Sequence, residues 1–132
     1  MNDVIIKGFG ELNNTRKSKQ SIYTSIKDEK VIFNLLNTEC DFKLNECENK
    51  IINVKNVLIK VIETPLDNDE VVFKKITILI DSDDKSYVTA SKMFANQLMD
   101  FIQADVNKEF TIKIIKRSVK NSPNKALGFE LV

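Results

Sequence analysis

The stretch Phe73–Ile102, FKKITILIDSDDKSYVTASKMFANQLMDFI, decides how the chain is read. It opens extended, with Ile76, Ile78 and Ile80 on one face and Thr77 and Leu79 on the other. Asp81-Ser82-Asp83-Asp84 then breaks the strand, because short acidic and hydroxyl side chains bond their own backbone and favour turns. Tyr87 stands at the edge of that turn and is expected to be exposed. Beyond it Phe94, Leu98, Phe101 and Ile102 recur at three-to-four spacing, the stripe of a helix packed on a core. The spacing predicts a helix over about residues 89–104.

Upstream, Ile51–Ile62 (IINVKNVLIKVI) is rich in β-branched residues and reads as a strand that Pro65 ends. With Val71–Ile80 it makes an antiparallel hairpin whose long tip is TPLDNDE. Nearer the N-terminus, Ser21–Ile26 and Val31–Leu36 read as two strands around a turn at Lys27-Asp28-Glu29-Lys30. Residues 3–9 predict a short edge strand, residues 10–20 a mobile loop, and Asn37–Lys50 a polar connection. Downstream, Phe110–Val119 and Lys125–Val132 are strands joined by a turn at Asn121-Ser122-Pro123-Asn124. Five main strands with one helix between the third and fourth is the order of an OB-fold barrel, here with extra N-terminal strand and residues 1–20 partly mobile. An open α+β sheet carrying one helix is the alternative with the same elements.

The 132 residues suffice for one domain with a real core, and 42% apolar beside 30% charged residues is ordinary for a globular chain. No apolar run approaches membrane-spanning length, and the opening MNDVIIKGFGELNN lacks the pattern of a signal peptide, so a cytoplasmic protein is expected. Without histidine, triads, histidine bases and histidine metal sites are excluded. Cys40 and Cys47 are too few to hold zinc and are expected to be free thiols. The chain closes on its last strand, so no flexible acidic tail is expected.

Net charge is only +1, but it is unevenly spread. Lys113, Lys116, Arg117, Lys120 and Lys125 fall between Phe110 and Phe129 with no acid among them. Arg16, Lys17 and Lys19 form a second basic cluster. Acids gather at Glu63, Asp67, Asp69 and Glu70, and again at Asp81, Asp83 and Asp84. The last three lack the glycine and distal glutamate of a calcium loop and read as a turn.

The pattern Thr77-x-Leu79-Ile80-Asp81-x-Asp83-x-x-x-Tyr87-x-x-x-Ser91 is followed by the helix, the basic Ile112–Arg117 with Lys120, and a closing Leu127, Glu130 and Leu131. In that order these residues resemble the small single-stranded DNA-binding proteins of tailed bacteriophages, including those that replicate by protein priming. Phe33-Asn34 and Phe42-Lys43 fall where that family has an FN and an FK pair. The resemblance covers roughly residues 31–132. This chain departs from it with Asp83-Asp84 in place of Asp-Gly, Pro123-Asn124 in place of a hairpin glycine, and no aromatic residue in Lys60–Asn68.

The resemblance implies a protein that coats and protects single-stranded DNA during phage replication, in the host cytoplasm, with no cofactor and no catalysis. Such binding needs cations along the phosphates and flat side chains under the bases. The candidate DNA-binding residues are Tyr87 for stacking, Lys55, Lys60, Lys74 and Lys75 on the hairpin, and Lys113, Lys116, Arg117, Lys120 and Lys125 at the end of the chain. Each lysine has a plainer reading as a solvent-facing charge. Phe33, Phe73, Phe94 and Phe101 are expected in the core. An OB-fold interaction protein that binds a host or replisome protein is the alternative function. A metal-dependent nuclease on Asp81, Asp83 and Asp84 is disfavoured, because adjacent acids in one turn do not converge as a metal site requires. Expected partners are single-stranded DNA and replication proteins, with no membrane and a monomer or weak homo-oligomer.

Overall fold

The computed structural model describes the backbone of residues 5–11 and all of residues 18–103, 109–120 and 123–132. The elements are β1 (Ile5–Glu11), β2 (Lys19–Thr24), α1 (Glu29–Asn37), β3 (Phe42–Lys43), β4 (Ile51–Pro65), β5 (Val71–Asp81), β6 (Ser86–Thr89), α2 (Lys92–Gln103), β7 (Phe110–Ser118) and β8 (Lys125–Leu131), with a 3₁₀ turn at Leu44–Glu46. Arg16 and Lys17 of the N-terminal basic cluster, and Asn121 and Ser122 of the last turn, lie outside the described residues.

The sheet is curled and mixed, a half-barrel organised on β4. Along the path β1-β2-β4-β5-β6-β3 every pairing is antiparallel except the parallel β3–β6 contact. The start of β4 also pairs with β7, from Ile51 opposite Lys113 to Val54 opposite Phe110, and β7 pairs with β8. One strand serves three neighbours because a bulge between Val54 and Asn56 turns it. Ser25 and Thr24 pin that bulge: Ser25 Oγ bonds Asn56 and Val57, and Thr24 Oγ1 donates to the Val57 carbonyl at 2.7 Å.

The bulge leaves Val54, Val57 and Ile59 on the same face, where they meet Leu79, Tyr87, Ile112, Ile114, Leu127 and Phe129 under Phe94, Leu98 and Ile102 of α2. The opposite face carries a smaller core of Ile22, Leu58, Ile78 and Ile80 beneath Ile32 of α1, with Leu35 and Leu36 alongside. Apolar residues on both faces of one sheet therefore have a physical outlet: each face is roofed by a helix.

Three sequence expectations are corrected. Val31–Leu36 is helical, not a strand, and Lys27–Lys30 is not a hairpin turn. Asp28 caps α1 by accepting the Lys30 N–H at 2.9 Å, and Ile32, Leu35 and Leu36 then fall on one helical face. Phe33 points away from it, 65% exposed rather than in the core. Second, Ser86–Thr89 is a strand, β6, so the predicted helix begins three residues later, at Lys92, with Ser91 Oγ accepting the Phe94 N–H. Third, Asn37–Lys50 is not merely a polar connection, since it contributes β3 and the fully buried Leu44. The hairpin of β4 and β5, the α2 stripe and the β7–β8 hairpin stand as read.

The free edge of β8 is capped at Phe129 by a side chain. Gln97 on α2 accepts the Phe129 N–H at 3.1 Å and donates to the Phe129 carbonyl at 2.7 Å, making both bonds a neighbouring strand would make. Gly128 permits this approach, because a Cβ there would lie 3.0 Å from Gln97 Oε1.

Candidate nucleic-acid interface

Two of the three acids of the turn, Asp81 and Asp84, are employed in structure. Asp81 Oδ1 accepts the N–H groups of Asp83 and Lys85, both at 2.9 Å, and Oδ2 accepts the Tyr87 hydroxyl at 2.9 Å. Burial pushes the Asp81 carboxyl up, but the bonds from Lys85, Tyr87 and Asp83 and the charge of Lys50 outweigh it and hold it below the ordinary value. Asp84 takes the left-handed conformation, φ 63°, at the position where the resembled family carries glycine. Its carboxylate forms an ion pair with Lys55 across the bulge of β4. Among the described residues no cluster of three or more acids or cysteines could hold a metal ion.

Tyr87 is not the exposed platform the sequence suggests. Only 2% of it is accessible, its hydroxyl is bound to Asp81, and its ring stacks on Phe42 at 5.0 Å between centroids. Burial, then the bond to Asp81 and the charge of that carboxylate, raise its pKa far above the tyrosine norm. The alternation of β6 explains the placement: Tyr87 lies opposite Leu79 and Thr89 opposite Thr77, facing α2. Phe42 keeps 41% of its surface exposed, and Lys50 Nζ lies 4.9 Å from its centroid and 5.3 Å from that of Tyr87.

The other candidates fall into two groups and one outlier. Lys55 is the outlier, held by Asp84. Lys74 and Lys75 lie where β5 runs out beyond β6, which covers only Thr77–Ile80, while Lys60 sits on the adjoining β4 opposite Ile76 and is still flanked by Ile22 of β2. Lys60 and Lys74 share the α1 face of this arm; Lys75 is on the α2 face and bonds Asn96 of α2. Lys113 sits opposite Glu130, which partly offsets its charge, whereas Arg117, Lys120 and Lys125 are exposed around the end of the β7–β8 hairpin, with Lys116 half-buried beside them. Ile51, the partner of Lys113, and Lys60 are nine positions apart on β4, on either side of its bulge. The candidate cations thus fall into two groups, one on the β4–β5 arm and one on the β7–β8 hairpin.

Exposed rings occur where the sequence reading did not put them. Phe73, 45% exposed, stands on the arm next to Lys74. Phe33 borders an open groove of about 770 Å³ between α1 and the sheet, together with Lys30, Asn34, Gln20 and Lys60. The signal for Phe33 was present in Asp28 followed by Ile32, Leu35 and Leu36, which is helical spacing with Phe33 left over. Phe73 carried no local signal, because its exposure depends on β6 stopping short.

Compared with protein-family models, with curated proteins and with solved structures, the chain matches none. Among the described residues no helix is long and apolar enough to cross a membrane.

Proposed function

We propose that this protein binds single-stranded DNA without sequence preference and serves phage DNA replication in the host cytoplasm, on an open five-stranded barrel of the OB type. The observation that carries the reading is that β4 pairs with both β5 and β7 while α2 follows β6. Taking β4, β5, β6, β7 and β8 as the five strands reproduces the OB order, with the helix between the third and fourth. In that architecture ligands cross strands two and three between the loops joining strands one to two and four to five. Phe73, Lys74 and Lys75 then belong to the second strand, Lys60 to the first, and Lys116, Arg117, Lys120 and Lys125 to the four-to-five hairpin. Phe73 takes over the stacking role that the sequence reading gave to Tyr87. The likeness of Thr77–Ser91 and of the last hairpin to phage single-strand binders supports the same reading.

The test is fluorescence anisotropy with a labelled mixed-sequence oligonucleotide, single-stranded and duplex, over a salt series. Single strands bind more tightly than duplex, and Phe73→Ala costs about 1–3 kcal/mol, the worth of one stacked base. Equal binding of duplex would sink the reading.

A second reading, an OB-type interaction protein for a host or replisome protein, is favoured by the exposed Leu66, Val71 and Val72 beside acidic Asp69 and Glu70 at the arm tip. Recovery of a stoichiometric protein partner with no oligonucleotide binding selects it.

A further inference from the structure

The outer edge of β5 is open along the arm. Leu66 N–H donates to the Glu70 carbonyl at 2.7 Å, so residue 70 bonds toward β4, and Asp81 N–H donates to the Lys85 carbonyl at 2.9 Å, so residue 81 bonds toward the β6 side. An antiparallel strand alternates between its two neighbours, and both ends of β5 give the same phase. Val72, Lys74 and Ile76 bond toward β4, while the N–H and C=O groups of Val71, Phe73 and Lys75 point to the other edge. Pairing with β6 begins only at Thr77, and no described residue bonds those backbone groups.

A long, exposed edge rich in β-formers is a template for another strand. This one carries the apolar Val71, Val72 and Phe73, which are 43, 48 and 45% exposed. It is also complementary to itself. Acids precede the apolar residues and lysines follow them, in the order Asp69-Glu70-Val71-Val72-Phe73-Lys74-Lys75. We infer that a second copy of this chain docks here, its β5 running antiparallel to the first about a two-fold axis at Val72.

The phase restricts the register and the charges select it. Only odd-numbered residues offer backbone groups at this edge, so hydrogen-bonded pairs join odd to odd, and Val71 of each copy bonds Phe73 of the other. On the α1 face the order becomes Glu70 against Lys74, Val72 against Val72, and Lys74 against Glu70. On the α2 face Val71 meets Phe73 twice. Every exposed apolar side chain of the edge meets an apolar one, and each Glu70 meets a lysine, which cross-strand pairing rewards. The two half-barrels then share a continuous sheet through their arms, an isologous contact that closes on itself.

Sedimentation velocity over a concentration series, without nucleic acid, tests this with Glu70→Lys, Lys74→Glu and the double exchange. Both substituted positions, Glu70 and Lys74, are exposed, so circular dichroism is expected to stay unchanged. The wild-type chain is expected to approach twice its 15.1 kDa mass as concentration rises. Each single variant, placing like charges in contact, is expected to weaken association at least threefold, and the double exchange to restore it. A wild-type chain that stays monomeric at the highest attainable concentration overturns the inference. So does a dimer that the single variants leave intact, or one that the double exchange does not restore. Because the readout contains no DNA, its failure is distinct from failure of the DNA-binding reading.

Discussion

Tyr87 shows how one side chain changes meaning with its depth. At the surface a tyrosine beside basic strands is a base-stacking platform; at 2% exposure, with its hydroxyl on a carboxylate, it is a strut between β6 and the acidic turn. Hydrogen bonds to charged groups are worth about 1.5–3 kcal/mol, so Tyr87→Phe is expected to lower unfolding stability by that amount in urea titration. The pair also sets two pH limits. Tyr87 has a raised pKa in the fold, so its contribution is complete below the unfolded tyrosine value near 10 and is lost as pH climbs beyond it. Asp81 has a lowered pKa, so its contribution is complete above the unfolded aspartate value near 3.9 and is lost as pH falls through the folded value. The thermal stability of the wild-type chain should therefore fall at both extremes of pH. In Tyr87→Phe the alkaline loss should shrink; an unchanged alkaline limb would mean that other groups govern it.

At the scale of elements, α2 does two jobs. Its Phe94, Leu98 and Ile102 fill the interior, and its Gln97 substitutes for a strand along β8. Gln97→Ala leaves the Phe129 N–H and carbonyl without those bonds, and a loss of about 1–3 kcal/mol follows from unpaired backbone groups at a partly buried edge. Faster amide exchange at Phe129 than at Ile114 would locate the loss on β8. An unchanged exchange rate at Phe129 would show that Gln97 does not cap this edge. The sequence displayed the stripe of α2, the long β4–β5 hairpin and the final hairpin, because each has a local pattern of period or punctuation. It did not display Val31–Leu36 as a helix, since a six-residue run with two β-branched residues fits either period, and Asp28 as a cap decides between them. Nor did it display β6, whose four residues form a strand only because Thr77–Ile80 offers them an edge. Among candidate site residues, the basic hairpin was legible as a run of like charge. The pairing of Lys55 with Asp84, and the exposure of Phe73 and Phe33, depend on tertiary neighbours and were not.

The whole molecule is a half-barrel whose charge is arranged rather than abundant. With a net charge of +1, bulk attraction to DNA is weak, and any affinity must come from local fields at the arm and the β7–β8 hairpin. The acids that would oppose it are partly consumed: Asp81 by its turn, Asp84 by Lys55, and Glu130 by its place opposite Lys113. Lys116 and Arg117, opposite Leu127 and Ala126, have no acid across the ladder. The most direct measurement is the salt dependence of single-strand binding for the wild-type chain and for the double variant Lys116→Glu, Arg117→Glu. Each phosphate contact to a single strand contributes about 0.7 to the slope of log affinity against log salt. The account predicts tight wild-type binding at low salt and a slope shallower by about 1.4 in the variant. An identical slope in both proteins, or no binding of single strands at low salt, would contradict it.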